Sequence, residues 1–145
     1  YIRMSSYRYT LDDSDLAIHL TKSDLEAGQG YGKHEDGNIL SFAQGTQLSG
    51  VDFAKLATEQ ILPIIELSLI AARNKINKNN RRFCFEILGY DFMIDHQLQP
   101  WLIEVNTNPC IEEPNTLLKQ LVPRMLDDAF KLTLDVIFPP IKSLQ

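Results

Sequence analysis

Cysteine is scarce in this sequence. Only Cys84 and Cys110 occur in 145 residues, and neither stands at metal-ligand spacing from a histidine. A disulfide framework is excluded, and two reduced thiols of an intracellular protein are expected. An excess of positive charge is missing too. Fourteen Lys and Arg face nineteen Asp and Glu, for a net charge of −5, which argues against a nucleic-acid scaffold. No apolar run is long enough to span a bilayer, and Gln60 to Ile65 is interrupted by Pro63. The opening YIRMSSYRYT holds no apolar stretch of the kind a signal peptide needs. Neither nucleic acid nor membrane is therefore an expected partner. What is present is ordinary for a soluble globule, with 44% apolar and 23% charged residues. The length suits one domain, and the start at Tyr1 rather than Met suggests a piece of a longer protein.

Along the chain, residues 1–10 read as a short strand, and Leu16, Ile18 and Leu20 alternate as a second one would. The rest of 11–50 reads as a long loop holding six of the seven glycines. From Asp52, a plausible N-cap, apolar residues recur at helical spacing through Leu69, so a helix is expected over Asp52–Lys75. Pro63 marks either a kink or the first turn of a second helix. Residues 73–82 carry five positive charges, four asparagines and no carboxylate, and read as a loop. Phe83 to Asn106 reads as a β-hairpin, FCFEILGYDFMID and PWLIEVN around HQLQ. Apolar spacing over Asn115–Ile137 predicts helices interrupted at Pro123. The expected fold class is α+β, a mainly antiparallel sheet with helices packed on one side.

The hairpin carries the chemistry. Side chains alternate faces along a strand, so Asp91 shares a face with Met93, and Leu102, Glu104 and Asn106 share one. If Asp95 pairs with Pro100, then Ile94 faces Trp101, Met93 faces Leu102 and Asp91 faces Glu104. Opposed carboxylates repel unless something lies between them. A divalent cation resolves the repulsion, and two carboxylates with a carboxamide oxygen form a hard site suited to Mg²⁺ shared with nucleotide phosphates. The alternative is a solvated strand face, the ordinary place for acidic residues such as Glu86 and Asp95. Phe92 and Trp101 read as core aromatics. The basic run from Arg73 to Arg82 is either a solvated connector or a surface that meets an acidic tail.

FEILGYDFMID followed by PWLIEVNTNP resembles the tubulin–tyrosine ligase-like family of amino-acid ligases. The family pairs a Gly-aromatic-Asp-hydrophobic strand with a hydrophobic-Glu-Val-Asn-x-x-Pro strand, here Gly89 to Met93 and Ile103 to Pro109. In order before them stand Arg3, His19-Leu20-Thr21 and Tyr31-Gly32-Lys33, each similar to a family element. The resemblance implies an ATP-grasp fold and a ligase using ATP and Mg²⁺. It implies Asp91, Glu104 and Asn106 as metal ligands, and Arg3 as the catalytic group beside the reacting phosphate. His19, Thr21 and Lys22 would lie at the nucleotide. The family reaction activates a protein carboxylate as an acyl phosphate, which the amine of a free amino acid (Tyr, Glu or Gly) then attacks. Tubulin, or another protein with acidic tails, is the implied acceptor, in cytoplasm, cytoskeleton or cilium.

Two departures accompany the resemblance. Lys22 replaces the family's Asn after His-Leu-Thr, and an ammonium cannot accept or coordinate as a carboxamide oxygen does. The phosphate-binding lysines and adenine pocket are not recognisable in this chain. Residues 1–145 are therefore expected to be an incomplete, C-terminal portion of the catalytic domain. Two rival readings stay open: an inactive microtubule-binding module on the same fold, and an ATP-grasp ligase with a small-molecule acceptor.

Overall fold

In the computed structural model, residues 1–5, 7–12, 14, 18 and 38–139 are described. Their contacts divide them into two units, Tyr1–Lys55 with Glu113–Gln120 and Leu56–Glu112 with Leu121–Gln145. The first unit forms around a short strand pair. β1 (Ile2–Arg3) and β2 (Ile39–Leu40) run antiparallel, with Ile2 opposite Leu40 and Arg3 opposite Ile39. Ile39 and Leu40 are buried, Leu40 almost completely. The strand expected over residues 1–10 thus contracts to two residues. The alternation at Leu16 and Leu20 lies outside the described residues.

Ser41 then opens α1 (Phe42–Ser49) with a reciprocal cap. The Gln44 amide donates to the Ser41 hydroxyl at 3.2 Å, and the Ser41 amide donates to Gln44 Oε1 at 2.8 Å. Gly50 closes the helix in the left-handed conformation, φ 76°, donating to the Thr46 carbonyl at 2.8 Å. This helix corrects the long loop expected over 11–50. Its signals were the Ser-x-x-Gln box and the terminal glycine; Gly45 in its middle masked them. Gly45 is buried, and a methyl group there would meet Ile2 and the Phe53 ring.

Asp52 caps the next helix as expected, its carboxylate accepting from the Lys55 amide at 2.9 Å. α2 (Phe53–Leu56) passes through one widened turn, Ala57–Ile61, into α3 (Leu62–Ala72). The Leu62 amide reaches back five residues to the Ala57 carbonyl. The widened turn falls where Pro63 lacks a donor and its ring would crowd the carbonyl four residues earlier. Pro63 therefore sits in the first turn of a second helix. Residues 73–82 are turns and irregular backbone, as their composition requires.

The second unit holds the hairpin β3 (Gly89–Ile94) and β4 (Pro100–Asn106). The first strand begins six residues later than the sequence suggests. Phe83 has φ 57°, a left-handed backbone that no ladder accepts, and residues 83–88 stay irregular. The Ser68 and Tyr90 hydroxyls lie 2.9 Å apart, tying α3 to β3.

α4 (Thr116–Ile137) is one helix of 22 residues with Pro123 inside it. This corrects the expected interruption. Pro123 and Lys119 are both exposed, so water can serve the carbonyl that loses its donor. Asn115 is buried and caps the helix, its Oδ1 accepting from the Leu118 amide at 2.8 Å. The composition is α+β, and among the described residues the strands form two two-stranded antiparallel sheets rather than the one expected. Among the described residues no helix is long and apolar enough to cross a membrane.

Candidate functional site

The register of the hairpin decides which side chains meet. Gly89 lies opposite Asn106, Tyr90 opposite Val105 and Asp91 opposite Glu104, as the spacing requires. Nearer the turn the register slips by one. Phe92 pairs with Leu102, Met93 with Trp101 and Ile94 with Pro100. The expected pairs Ile94–Trp101 and Met93–Leu102 are therefore corrected. A β-bulge between Asp91 and Phe92 causes the slip by leaving Ile103 as the unpaired extra residue on β4.

The bulge has a sorting effect. Residues directly opposite each other share a face. Without the bulge, Leu102 would lie on the face of Glu104. With it, Leu102 joins Phe92 on the opposite, better covered face, and Pro100 there is buried. Trp101 moves to the face of Asp91, Met93 and Glu104, where it is 59% exposed. Trp101 is thus a surface ring rather than the expected core aromatic. Phe92 is half-buried and stacks on Tyr90, with ring centroids 6.3 Å apart.

Asp91, Glu104 and Asn106 converge on that exposed face. Asn106 Nδ2 donates to Asp91 Oδ2 at 3.1 Å and approaches Glu104 Oε1 at 3.4 Å. One carboxamide bridges two carboxylates that would otherwise only repel. Turning the amide about its terminal bond presents Oδ1 in place of Nδ2. The three side chains could then offer an all-oxygen donor set of the kind that suits Mg²⁺. Among the described residues no cluster of three or more His, Cys, Asp or Glu has metal-binding geometry. The donor set therefore depends on the asparagine. Gly89 lets the next segment close over this end of the hairpin, since a Cβ there would lie 2.9 Å from Pro109 Cβ and 3.6 Å from Asn106 Cβ.

Asp95, read from the sequence as a solvated strand residue, organises the turn. Its Oδ1 accepts from the Gln97 and Gln99 amides at 2.8 and 3.0 Å, and its Oδ2 accepts from the Trp101 indole at 2.9 Å. The Trp101 bond, followed by the Gln99 amide, holds the Asp95 carboxyl below the usual carboxylate range. Asp95 thus braces Trp101 on the site face, two pairs along from Glu104. Its signal in the sequence was Asp at the start of a short turn, where side-chain caps on following amides are common.

Of the other expected site residues, Arg3 lies in the first unit, exposed on β1, with its guanidinium 5.8 Å from the Tyr1 ring centroid. His19, Thr21 and Lys22 lie outside the described residues, as does the Tyr31-Gly32-Lys33 segment. Cys84 and Cys110 are free thiols, both exposed.

Comparison with known proteins adds the following. A family model described as the tubulin-tyrosine ligase family matches residues 1–144. Tubulin glycylase 3B of Tetrahymena thermophila is 32% identical over 143 residues, covering 93% of this chain and 12% of that protein. Human protein monoglycylase TTLL8 is 28% identical over 147 residues, 93% of this chain and 17% of that protein. The probable alpha-tubulin polyglutamylase Ttll1 of T. thermophila is 28% identical over 141 residues, 91% of this chain and 33% of that protein. The chain thus spans about an eighth to a third of the length of these relatives.

Proposed function

We propose, on the premise that this chain belongs to the tubulin-tyrosine ligase family, that it forms the C-terminal, metal-holding portion of an ATP-grasp ligase that joins an amino acid to carboxylates of tubulin tails. The observation that carries this reading is the convergence of Asp91, Glu104 and Asn106 on one exposed hairpin face. Those three residues would hold Mg²⁺ together with the phosphates of ATP. The ion, when bound, would neutralise charge on the phosphoryl group in transfer.

The reaction class follows from the family's chemistry. The acceptor carboxylate takes the terminal phosphoryl group of ATP and releases ADP, leaving an acyl phosphate. The amine of the free amino acid then attacks the acyl carbon, loses a proton and expels phosphate, forming an amide. Phosphoryl transfer asks the protein mainly for position and charge balance. The hairpin supplies position, because both ligand strands belong to one ladder whose register the bulge and the Asp95 turn fix. Arg3 would add a planar, permanently charged donor for the phosphate oxygens. Glycine is the donor we favour, because two of the relatives above are named as glycylases. The cytoskeleton or cilium is the matching location.

Lys22, where the family pattern has Asn, supports a second reading, a module that binds microtubules without ligating. One experiment separates the two. The full-length protein is incubated with microtubules, MgATP and each of glycine, glutamate and tyrosine, and the tubulin tails are weighed by mass spectrometry. Tails heavier by one or more glycine residues support the ligase reading. Co-sedimentation with unmodified tails in all three incubations supports the module.

A further inference from the structure

The segment between α3 and the hairpin is left unused by the site described above. Arg73, Lys75, Lys78, Arg81 and Arg82 lie within ten residues, with no carboxylate among them, on a chain of net charge −5. All five are exposed. Among the described residues none of them enters a salt bridge; the ion pairs there join Arg124 and Lys131 to Asp127 and Asp128 on α4. A connector needs neither this density of like charge nor a fixed shape. This one has a fixed shape. Asn77 Nδ2 donates to the Arg81 carbonyl at 2.8 Å, and Asn77 Oδ1 accepts from the Arg81 amide at 2.7 Å. Asn77 and Asn80 both take left-handed backbone, φ 50° and 49°, which asparagine tolerates better than most residues. The Cys84 thiol points to the same Arg81 carbonyl, at 3.4 Å.

Five like charges within ten residues, around a turn closed by Asn77 and Arg81, repel one another. An anionic partner relieves that repulsion. We infer that residues 73–82 form a docking surface for an acidic peptide segment. The net charge favours a peptide over a nucleic acid. A long polyanion would also meet the acidic remainder of the chain, whereas a short acidic segment can confine itself to the loop. Ile76 and Phe83, 50% and 83% exposed, flank the cations and offer apolar contact that a peptide side chain can use. Such a surface speeds encounter more than it tightens the final complex, and salt screens it. The identity of the partner as a tubulin tail rests on the function proposed above; binding itself does not.

The test uses the full-length protein without ATP or amino acid, so ligation plays no part. A fluorescein-labelled peptide of alternating glutamate and glycine is titrated by anisotropy at low and physiological salt. Reversal of three loop charges, Lys75→Glu, Lys78→Glu and Arg82→Glu, is expected to weaken binding about tenfold or more at low salt, with a smaller change at physiological salt. The three corresponding Gln substitutions are expected to give an intermediate loss. All three positions are exposed, so thermal unfolding should stay unchanged; should the reversed protein unfold, the Gln set alone decides. Binding unaffected by either set overturns the proposal. So does a single-stranded oligonucleotide that binds more tightly than the peptide and loses affinity through the same reversals. A protein that fails to ligate yet loses peptide binding on reversal leaves the docking surface standing while the ligase reading falls.

Discussion

β1–β2 and β3–β4 are both antiparallel pairs, and they differ in what their faces meet. The first is two residues long and joins segments far apart in the chain, and its second strand is buried on both residues. The second is six or seven residues long and closed by a short turn, and one of its faces is left to solvent. In the first pair, apolar burial is what a substitution would disturb. In the second, the exposed face carries opposed carboxylates, an arrangement that costs stability and makes sense as a binding site. On the function proposed above, stability and chemistry would fall to different strand pairs.

Leu40→Ala challenges that division at its stabilising end. Leu40 is 2% exposed, and its truncation should cost about 2–5 kcal/mol through lost burial and a cavity. Denaturant unfolding of the full-length protein measures it. A loss no larger than that of an exposed leucine would show that β2 is not a core strand in solution.

Glu104→Gln probes the other end. The amide keeps the shape and removes one anionic ligand, so turnover should fall by about a hundredfold or more while the unfolding midpoint holds or rises slightly. The slight rise follows from relieving the repulsion between Asp91 and Glu104. Ligation rate beside thermal unfolding checks both. Undiminished turnover would remove Glu104 from the machinery.

The two pairs also differ in how far they were legible. The Asp91–Glu104 pairing could be read from spacing because a short turn leaves few registers to choose from. The bulge at Ile103 could not, since it inserts one residue without any Gly or Pro to mark it. Trp101 was misread for the same reason, because its face depends on that extra residue. β2 escaped notice because Ile39-Leu40 is only two residues long and its partner lies far away in sequence. Ser41, Gln44 and Gly50 spell out the caps of α1, but the glycines at 45 and 50 give the same stretch the composition of a loop. Pro123 does not interrupt α4, since a proline on a solvated helix face breaks less than one in a core. The role proposed for Arg3 rests on family resemblance alone, as nothing about an exposed arginine on a short strand marks it otherwise.

Gly89→Ala sharpens the comparison at the point where the hairpin strands meet the following segment. The new methyl would lie 2.9 Å from Pro109 Cβ, a ring carbon that cannot swing aside. Backbone must move instead, at about 1–3 kcal/mol. Because Asn106 lies opposite Gly89, metal-dependent activity should fall further than stability predicts. Activity and unfolding measured together on Gly89→Ala would show whether the two losses separate. Equal, small losses would mean that the Pro109 segment yields freely.

The smallest expected effect concerns the turn that braces the site face. The Trp101 indole, then the Gln99 and Gln97 amides, keep the Asp95 carboxyl below its ordinary range. A depressed folded value means that Asp95 adds stability above its unfolded pKa, near about 4, and that the contribution fades as pH falls through the folded value. Asp95 is only half-buried, so the change in overall stability should be slight. Its titration is the sharper readout. The carboxyl carbon shift, followed by NMR through the acid range, should place the midpoint below that of a free Asp. In Trp101→Phe the midpoint should rise, yet stay depressed, because the two backbone amides still donate. A midpoint that does not move on losing the indole would mean that the ring is not held by Asp95 in solution. Trp101 would then be free to leave the face it shares with Asp91 and Glu104, and the hairpin would present its ligands without a fixed aromatic neighbour.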